Sequence, residues 1–209
     1  MLAVFVGLNS YYCPGCEGFK GRAVVKNLFE MGPIRRSVTL WIAFMATLWI
    51  VFGIGLVTHP GAYADIPAVD RDTGWMVVAF ILGNNGVLLL IIVGNLFARF
   101  GSVTPGLLIL AYEAVVIAWT AGTNGFTEPF PSVAAANAAF LRIGLWETTA
   151  YVLLCAVTLP KSLNVAATFP AKQWSRTRRL TEVRFSPSEV VIAALGVFAL
   201  VGAALVEVF

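Results

Sequence analysis

The sequence predicts an all-α protein, a membrane bundle of five transmembrane helices preceded by an amphipathic elbow helix. Three observations predict this class. Of the 209 residues, 59% are hydrophobic and only 12% are charged, which is about half the charged share of a soluble domain. Five windows are long and apolar enough to cross a bilayer core about 30 Å thick. The Lys and Arg residues collect in alternate segments between those windows.

This composition excludes a disordered chain, a coiled coil, a nucleic-acid-binding domain and most soluble enzymes. The predicted spans begin and end at ordinary helix signals, such as Pro105 in the first turn of the third span and Pro160 after the fourth. No discontinuous helix is expected within them, and residues 122–139 are expected to form an outer loop. The five spans are Val38–Val57, Trp75–Phe97, Thr104–Ala121, Phe140–Leu159 and Pro187–Val206.

The placement of Lys and Arg predicts the orientation. Five of them precede the first span, six lie between the fourth and fifth spans, and Arg99 lies between the second and third. Assigning alternate segments to the cytoplasm puts twelve of the fourteen there, Arg71 outside and Arg142 within the fourth span. The positive-inside rule then predicts a multi-pass protein of the plasma (inner) membrane, with its N-terminus cytoplasmic and its C-terminus extracytoplasmic. We expect no cleavable signal peptide, because no basic segment precedes the apolar residues 1–8.

We divide the chain into a cytoplasmic N-terminal segment, residues 1–37, and a transmembrane domain, residues 38–209. Within the segment, Lys20–Glu30 has apolar residues at helical spacing with basic residues between them. Such a stretch is typical of a helix that lies in the membrane interface before the first span.

Cys13 and Cys16 enclose a Pro-Gly pair and provide half of a tetrahedral zinc site. Zinc is therefore expected only if another chain supplies the remaining ligands, and no other cofactor is predicted. The alternative is a plain turn, which the Pro-Gly dipeptide favours.

The basic loop between the fourth and fifth spans contains Arg176, Arg178 and Arg179. Basic residues beside a membrane attract anionic lipid headgroups, so these three are predicted to contact lipid or a cytoplasmic partner. The alternative is that they only orient the chain.

Ionisable and amide side chains inside the spans are the candidate functional residues, since a charge at mid-span costs at least about 2.5–3.5 kcal/mol. They are Asn84, Asn85, Glu113, Arg142 and Glu147. In the functional interpretation, one of the two carboxylates changes its charge during a transport cycle. The alternative is a polar lock that holds the helices together. Arg142 and Glu147 are five residues apart and point to different faces of one helix, which leaves Glu113 as a partner for Arg142 if their depths agree.

Small residues recur at four-residue spacing along the third span, at Ala114, Ala118 and Gly122. Such a ridge allows another helix to approach closely. The sequence leaves open whether that helix belongs to this chain or to another subunit.

Several of these motifs together resemble one family. Residues 80–86 read Phe-Ile-Leu-Gly-Asn-Asn-Gly, Gly94-Asn95 follows, Gly144 and Glu147 open the fourth span, and Glu207 lies near the end of the fifth. Over residues 38–209 the chain resembles the stage II sporulation protein M family of five-span membrane proteins. The family's His is Ile143 here, and its Asn-Gly in the third span is Glu113-Ala114. The resemblance implies a non-enzymatic membrane component that works with partners.

We therefore weigh three functions. The first is a non-catalytic integral membrane subunit or scaffold that assembles with other membrane or cell-envelope proteins, or with copies of itself. The second is a small proton- or ion-coupled transporter or channel that uses Glu113 and Glu147. The third is an accessory subunit of a larger energy-converting membrane complex. None of them involves catalysis or nucleic acid.

Overall fold

The computed structural model describes residues 28–64 and 74–209. Within these ranges, five helices are long and apolar enough to cross a membrane, which confirms the helical class and the number of candidate spans. They are called the first to fifth spans below: Pro33–Thr58, Trp75–Phe97, Pro105–Gly122, Val133–Lys161 and Pro187–Val208. The predicted elbow helix lies outside the described residues, apart from residues 28–30, which are helical.

The spans differ in how continuous they are. The first, third and fifth are single helices, whereas the second and fourth each contain an interruption. In chain order the helices are α1 (Pro33–Thr58), α2 (Trp75–Asn84), α3 (Val87–Phe97), α4 (Pro105–Gly122), α5 (Val133–Ala139), a π-helical turn (Phe140–Gly144), α6 (Leu145–Thr158), a 3₁₀ turn (Leu159–Lys161) and α7 (Pro187–Val208).

Side-chain caps mark the starts of α4, α5 and α7. Thr104 accepts a hydrogen bond from the Leu107 amide at the start of α4, and Ser186 and Glu189 form a reciprocal capping box at the start of α7. The first span begins at Pro33, five residues before the predicted start, because proline suits the first turn of a helix.

The fourth span also begins earlier than predicted, so the prediction of a loop up to residue 139 was wrong. Ser132 accepts a hydrogen bond from the Ala135 amide and starts a helix at Val133. The Ala-rich residues that follow are strong helix formers. The helix then passes through the π-helical turn at Phe140–Gly144 before α6.

The second span is interrupted at Asn85 and Gly86, which corrects the expectation of continuous helices. There the Gly86 amide donates to the Gly83 carbonyl at 3.0 Å, and the Leu88 amide donates to the Asn85 carbonyl at 3.0 Å. These are the tighter bonds of a 3₁₀ turn. The two halves also pack differently, because α2 lies mainly against α7, whereas α3 lies against α4 and α6.

The first and third spans pack closely against each other. A Cβ atom on Gly55 would lie 2.8 Å from the Cα atom of Gly122, a separation that only glycine permits. Ala114 and Ala118, which continue the same ridge, are fully buried. The small residues of the third span therefore serve contact within this chain, and the alternative left open by the sequence is decided in favour of the bundle.

A three-stranded sheet, which the sequence did not predict, lies beside the ends of α3 and α6. Strand β1 (Ala98–Phe100) pairs in parallel with β2 (Asn164–Ala166), and β2 pairs antiparallel with β3 (Ser175–Arg176). We call this end of the bundle, with residues 159–186, the basic end. The opposite end, with residues 59–64 and 122–132, is the far end.

Candidate functional site

A cavity of about 900 Å³ opens in the far-end half of the bundle, between α2, α4, α6 and α7. Apolar and aromatic side chains make up much of its wall. Three carboxylates, Glu128, Glu147 and Glu207, also line it, together with Thr148 and Tyr151. None of the described residues in the wall is Lys or Arg. The described part of the wall is thus mainly apolar and carries acidic groups but no basic one.

The interruption of the second span lies beside the polar part of this wall. The Asn85 side-chain amide donates to the Ile81 carbonyl at 2.9 Å and to a Glu147 carboxylate oxygen at 3.2 Å. The Tyr151 hydroxyl donates to the Asn85 side-chain oxygen. Asn85 and Tyr151 are buried, while Glu147 is half-buried and reaches the cavity. The structure therefore brings two of the predicted polar residues, Asn85 and Glu147, into one hydrogen-bonded group.

Glu113 lies near this group but does not bond to it. It is half-buried and lies one turn before Ile117, which lines the cavity from the third span. Of the two predicted carboxylates, only Glu147 lies at the cavity wall.

The remaining predicted polar residues lie elsewhere. Arg142 is exposed and donates a hydrogen bond to the Val206 carbonyl at 2.9 Å. Its predicted partner, Glu113, is half-buried on the third span, and no ion pair joins the two side chains. Asn84 is the last residue of α2, and the role of its side chain stays a prediction.

A second polar group, centred on Asn95, lies in the basic-end half. The buried Asn95 amide donates to the Thr158 hydroxyl at 2.9 Å and to the Cys155 carbonyl at 3.2 Å. The Thr104 hydroxyl donates to the Asn95 side-chain oxygen at 2.5 Å, and the Ser162 hydroxyl donates to the backbone carbonyl of Asn95 at 2.7 Å. Every polar atom of the Asn95 side chain is paired, as expected for a polar lock.

A buried ion cluster at the basic end was missed from the sequence. Glu189 pairs with Lys161 at 2.8 Å and with Arg36 at 3.4 Å, and the side chains of Arg36 and Glu189 are only 3% and 6% exposed. The Arg36 Nε also donates to the Ala156 carbonyl at 2.5 Å. The cluster joins the first, fourth and fifth spans.

Sequence reasoning counted Arg36 and Lys161 only as orienting charges and passed over Glu189. A signal was present, because a Ser followed three residues later by Glu, before an apolar run, is a capping box. That motif predicts the position of Glu189 at the start of the fifth span, but it does not predict that Arg36 and Lys161 pair with it.

The three arginines predicted to contact lipid or a partner lie on or after β3. Arg176 and Arg179 are exposed, and Arg178 is half-buried. Beside them the ring of Phe100 contacts those of Phe169 and Trp174, with centroids 5.3 and 5.1 Å apart. Phe169 and Trp174 are themselves exposed.

Cys13 and Cys16 lie outside the described residues, so the predicted zinc site stays a prediction. Among residues 28–64 and 74–209, no three His, Cys, Asp or Glu side chains are grouped to hold a metal ion.

The chain matches no family model, no curated protein and no solved structure. The resemblance to the stage II sporulation protein M family therefore stays a prediction. Some of the residues that carry it do meet in space. Asn85 donates to Glu147, Glu207 lines the same cavity, and a Cβ on Gly94 would lie 2.7 Å from the Gly106 amide nitrogen. Fold and site together describe a five-span helical bundle with an acidic cavity in its far-end half.

Proposed function

We propose that this protein is a small membrane carrier that binds its ligand in the far-end cavity and couples binding to a proton on Glu147. The observation that carries the proposal is the cavity itself, which reaches a carboxylate, Glu147, at the interruption of the second span. This is the second of the functions that the sequence leaves open, made specific by geometry.

The orientation belongs to the same proposal. The five apolar helices cross the plasma membrane with the basic end in the cytoplasm, since cytoplasmic segments carry the excess of Lys and Arg. The far-end cavity then opens to the extracytoplasmic side.

The interrupted second span supports transport, because many carriers bind their substrates where a membrane helix is broken. Backbone groups freed from a helix within a membrane are tolerated only in protein or beside a water-filled cavity. Here α2 packs with α7 while α3 packs with α4 and α6. The first half of the second span can therefore move with the fifth span while the second half stays in the bundle.

The basic end supports an outward-open state. Two fully paired groups, the Asn95 group and the ion cluster of Arg36, Lys161 and Glu189, lie between the cavity and that end. Of the three carboxylates that line the cavity, Glu147 is the one at the break in the second span, where it accepts a hydrogen bond from Asn85, which in turn accepts one from Tyr151. A carboxylate in this position exchanges its proton with the extracytoplasmic side.

Proton-coupled movement of a cation across proteoliposomes tests the proposal. Vesicles that contain a pH-sensitive dye are exposed in turn to Na⁺, K⁺, tetraethylammonium and tetraphenylphosphonium at clamped membrane potential. We expect at least one of them to drive proton movement with the wild type, and Glu147→Gln to abolish it. Glu182→Gln, an exposed change at the basic end, serves as the control. Absence of proton movement with every cation overturns the proposal.

A second candidate is the non-catalytic membrane subunit or scaffold. The exposed aromatic pair Phe169 and Trp174, beside Arg176 and Arg179, favours it because aromatic and Arg side chains are enriched at protein interfaces. In that case the protein should co-purify with defined partners after mild detergent extraction, and replacing Trp174 with Ala should release them. Purification as a lone, fully active monomer contradicts this candidate.

A further inference from the structure

We infer that the far-end cavity takes a lipophilic monovalent cation, an organic ion with one positive charge and an apolar, preferably aromatic, body. The inference rests on the proposed function and specifies the class of substrate for the same cavity. It depends on three properties of the cavity: its size, the chemistry of its wall and the position of its carboxylate.

The size favours an organic ligand. A cavity of about 900 Å³ lies within the range of about 300–1,000 Å³ that small-molecule sites occupy. A bare inorganic cation needs a compact cage of oxygen ligands. Such an ion would leave most of this volume, and the apolar wall, without a contact.

The wall favours a positive charge on an apolar body. Phe126 and Phe130 pack edge to face with ring centroids 5.1 Å apart, and both line the cavity with Phe140 and Ile143. Aromatic faces attract cations because the face of the ring is the negative end of its quadrupole. An anion would meet the Glu147 carboxylate in a wall whose described residues include no Lys or Arg.

The carboxylate explains the coupling to protons. A carboxylate beside apolar side chains is stable only when it is protonated or paired with a cation. Asn85 gives Glu147 one neutral hydrogen bond, at 3.2 Å, which leaves its negative charge without compensation from that partner. The other titratable groups of the described wall are Glu128, Glu207 and Tyr151, and none of them carries a positive charge. Binding of the organic cation therefore releases the Glu147 proton to the far-end solution, and raising the pH strengthens binding.

Two probes of equal shape and opposite charge test the inference: tetraphenylphosphonium and tetraphenylborate. Equilibrium dialysis against the purified full-length protein in detergent, at several pH values, measures their binding. We expect the wild type to bind only the phosphonium, more tightly as the pH rises, and Glu147→Gln to weaken binding at least tenfold. Glu182→Gln, outside the cavity, should bind like the wild type. Equal binding of both ions, or unchanged binding by Glu147→Gln, overturns the inference.

A second variant keeps the test decisive if Glu147→Gln fails to fold. Ile143→Trp leaves the carboxylate in place and fills part of the cavity, so it should also weaken phosphonium binding at least tenfold. Unchanged binding by this variant places the probe elsewhere and overturns the inference. The proton-coupled carrier and the class of its substrate can fail separately. Proton-coupled movement of Na⁺ or K⁺ without phosphonium binding overturns only the substrate class, whereas phosphonium binding without any proton movement overturns only the carrier.

Discussion

The two ends of this bundle treat their polar residues in opposite ways. At the basic end, Arg36 and Lys161 share the largely buried Glu189 carboxylate, and the Asn95 side chain is fully paired. At the far end, Glu147 has one hydrogen bond from Asn85 and reaches an open cavity. Polar residues inside the spans thus divide into those that are fully paired between helices and those, such as Glu147, that border an open cavity.

The largest effect is expected from breaking the ion cluster. Glu189→Gln leaves the buried Arg36 and the partly buried Lys161 without this counter-ion, and removal of one partner of a buried pair costs about 3–5 kcal/mol. The free energy of unfolding in mixed detergent micelles measures this loss. Glu182→Gln, at an exposed carboxylate, should change it by less than about 0.5 kcal/mol. Equal stability of the two variants would show that the basic end is not held by this cluster.

The next largest effect is expected at Gly106, in the first turn of α4. A Cβ on Gly106 would lie 2.5 Å from the Asn95 side-chain oxygen and closer still to the Ile91 carbonyl oxygen. Gly106→Ala should therefore cost about 2–3 kcal/mol of folding free energy through overpacking. Gly202→Ala in the fifth span is the control, because a Cβ there meets nothing within 4 Å. Equal free energies of unfolding for the two variants would contradict the close packing around Gly106.

Substituting each of the two asparagines by alanine compares the two ends directly. Asn95→Ala leaves several buried partners without a bond and should cost about 2 kcal/mol of stability. Asn85→Ala should cost about 1 kcal/mol and should instead weaken phosphonium binding, because it frees Tyr151 and Glu147. The free energy of unfolding and the affinity for the phosphonium are measured for both variants. Loss of phosphonium binding by Asn95→Ala rather than by Asn85→Ala would contradict the assignment of Asn95 to a structural lock and of Asn85 to the ligand site.

The smallest effect concerns Tyr63 in the far-end loop, whose hydroxyl donates to the Ala121 carbonyl. Burial raises the pKa of this phenol, so the folded state holds the proton more tightly than the unfolded state does. Its contribution is present below the ordinary value near 10 and is lost as the pH rises through the higher folded value. Tyr63→Phe should lower the free energy of unfolding by about 0.5 kcal/mol at about pH 7 and by less above about pH 10. Unfolding of both proteins, measured across this pH range, tests this expectation. A difference that does not depend on pH would mean that the phenol proton is not involved.

The sequence predicts the number of spans and most of their bounds because length, hydropathy and capping are local properties. Pro105 and Ser186-Pro187, for example, mark helix starts that the structure confirms. It does not predict the break at Asn85 and Gly86, since both residues also occur in continuous apolar helices. The helical run from Val133 was misjudged because the short Ala-rich stretch follows two prolines and resembles a loop.

The site is only partly predictable for a different reason. Glu147 and Asn85 stand out as polar residues in apolar spans, but their contact joins positions 62 residues apart. Arg36 and Lys161 obey the positive-inside count at the same time as they pair with Glu189, so their second role has no signal in composition. The cavity depends on how α2 packs against α7, which no local pattern specifies.

Labelling of one introduced cysteine in intact cells tests whether the cavity opens at the far end. Cys13 and Cys16 are replaced by Ser, the fully buried Cys155 is kept as the internal reference, and Ile143→Cys places a thiol at the cavity wall. A membrane-impermeant thiol reagent added outside should modify this introduced thiol and leave Cys155 unmodified, and tetraphenylphosphonium should slow the reaction. An unreactive introduced thiol, or a Cys155 that reacts as fast, would contradict a cavity open at the far end and a bundle closed at the basic end.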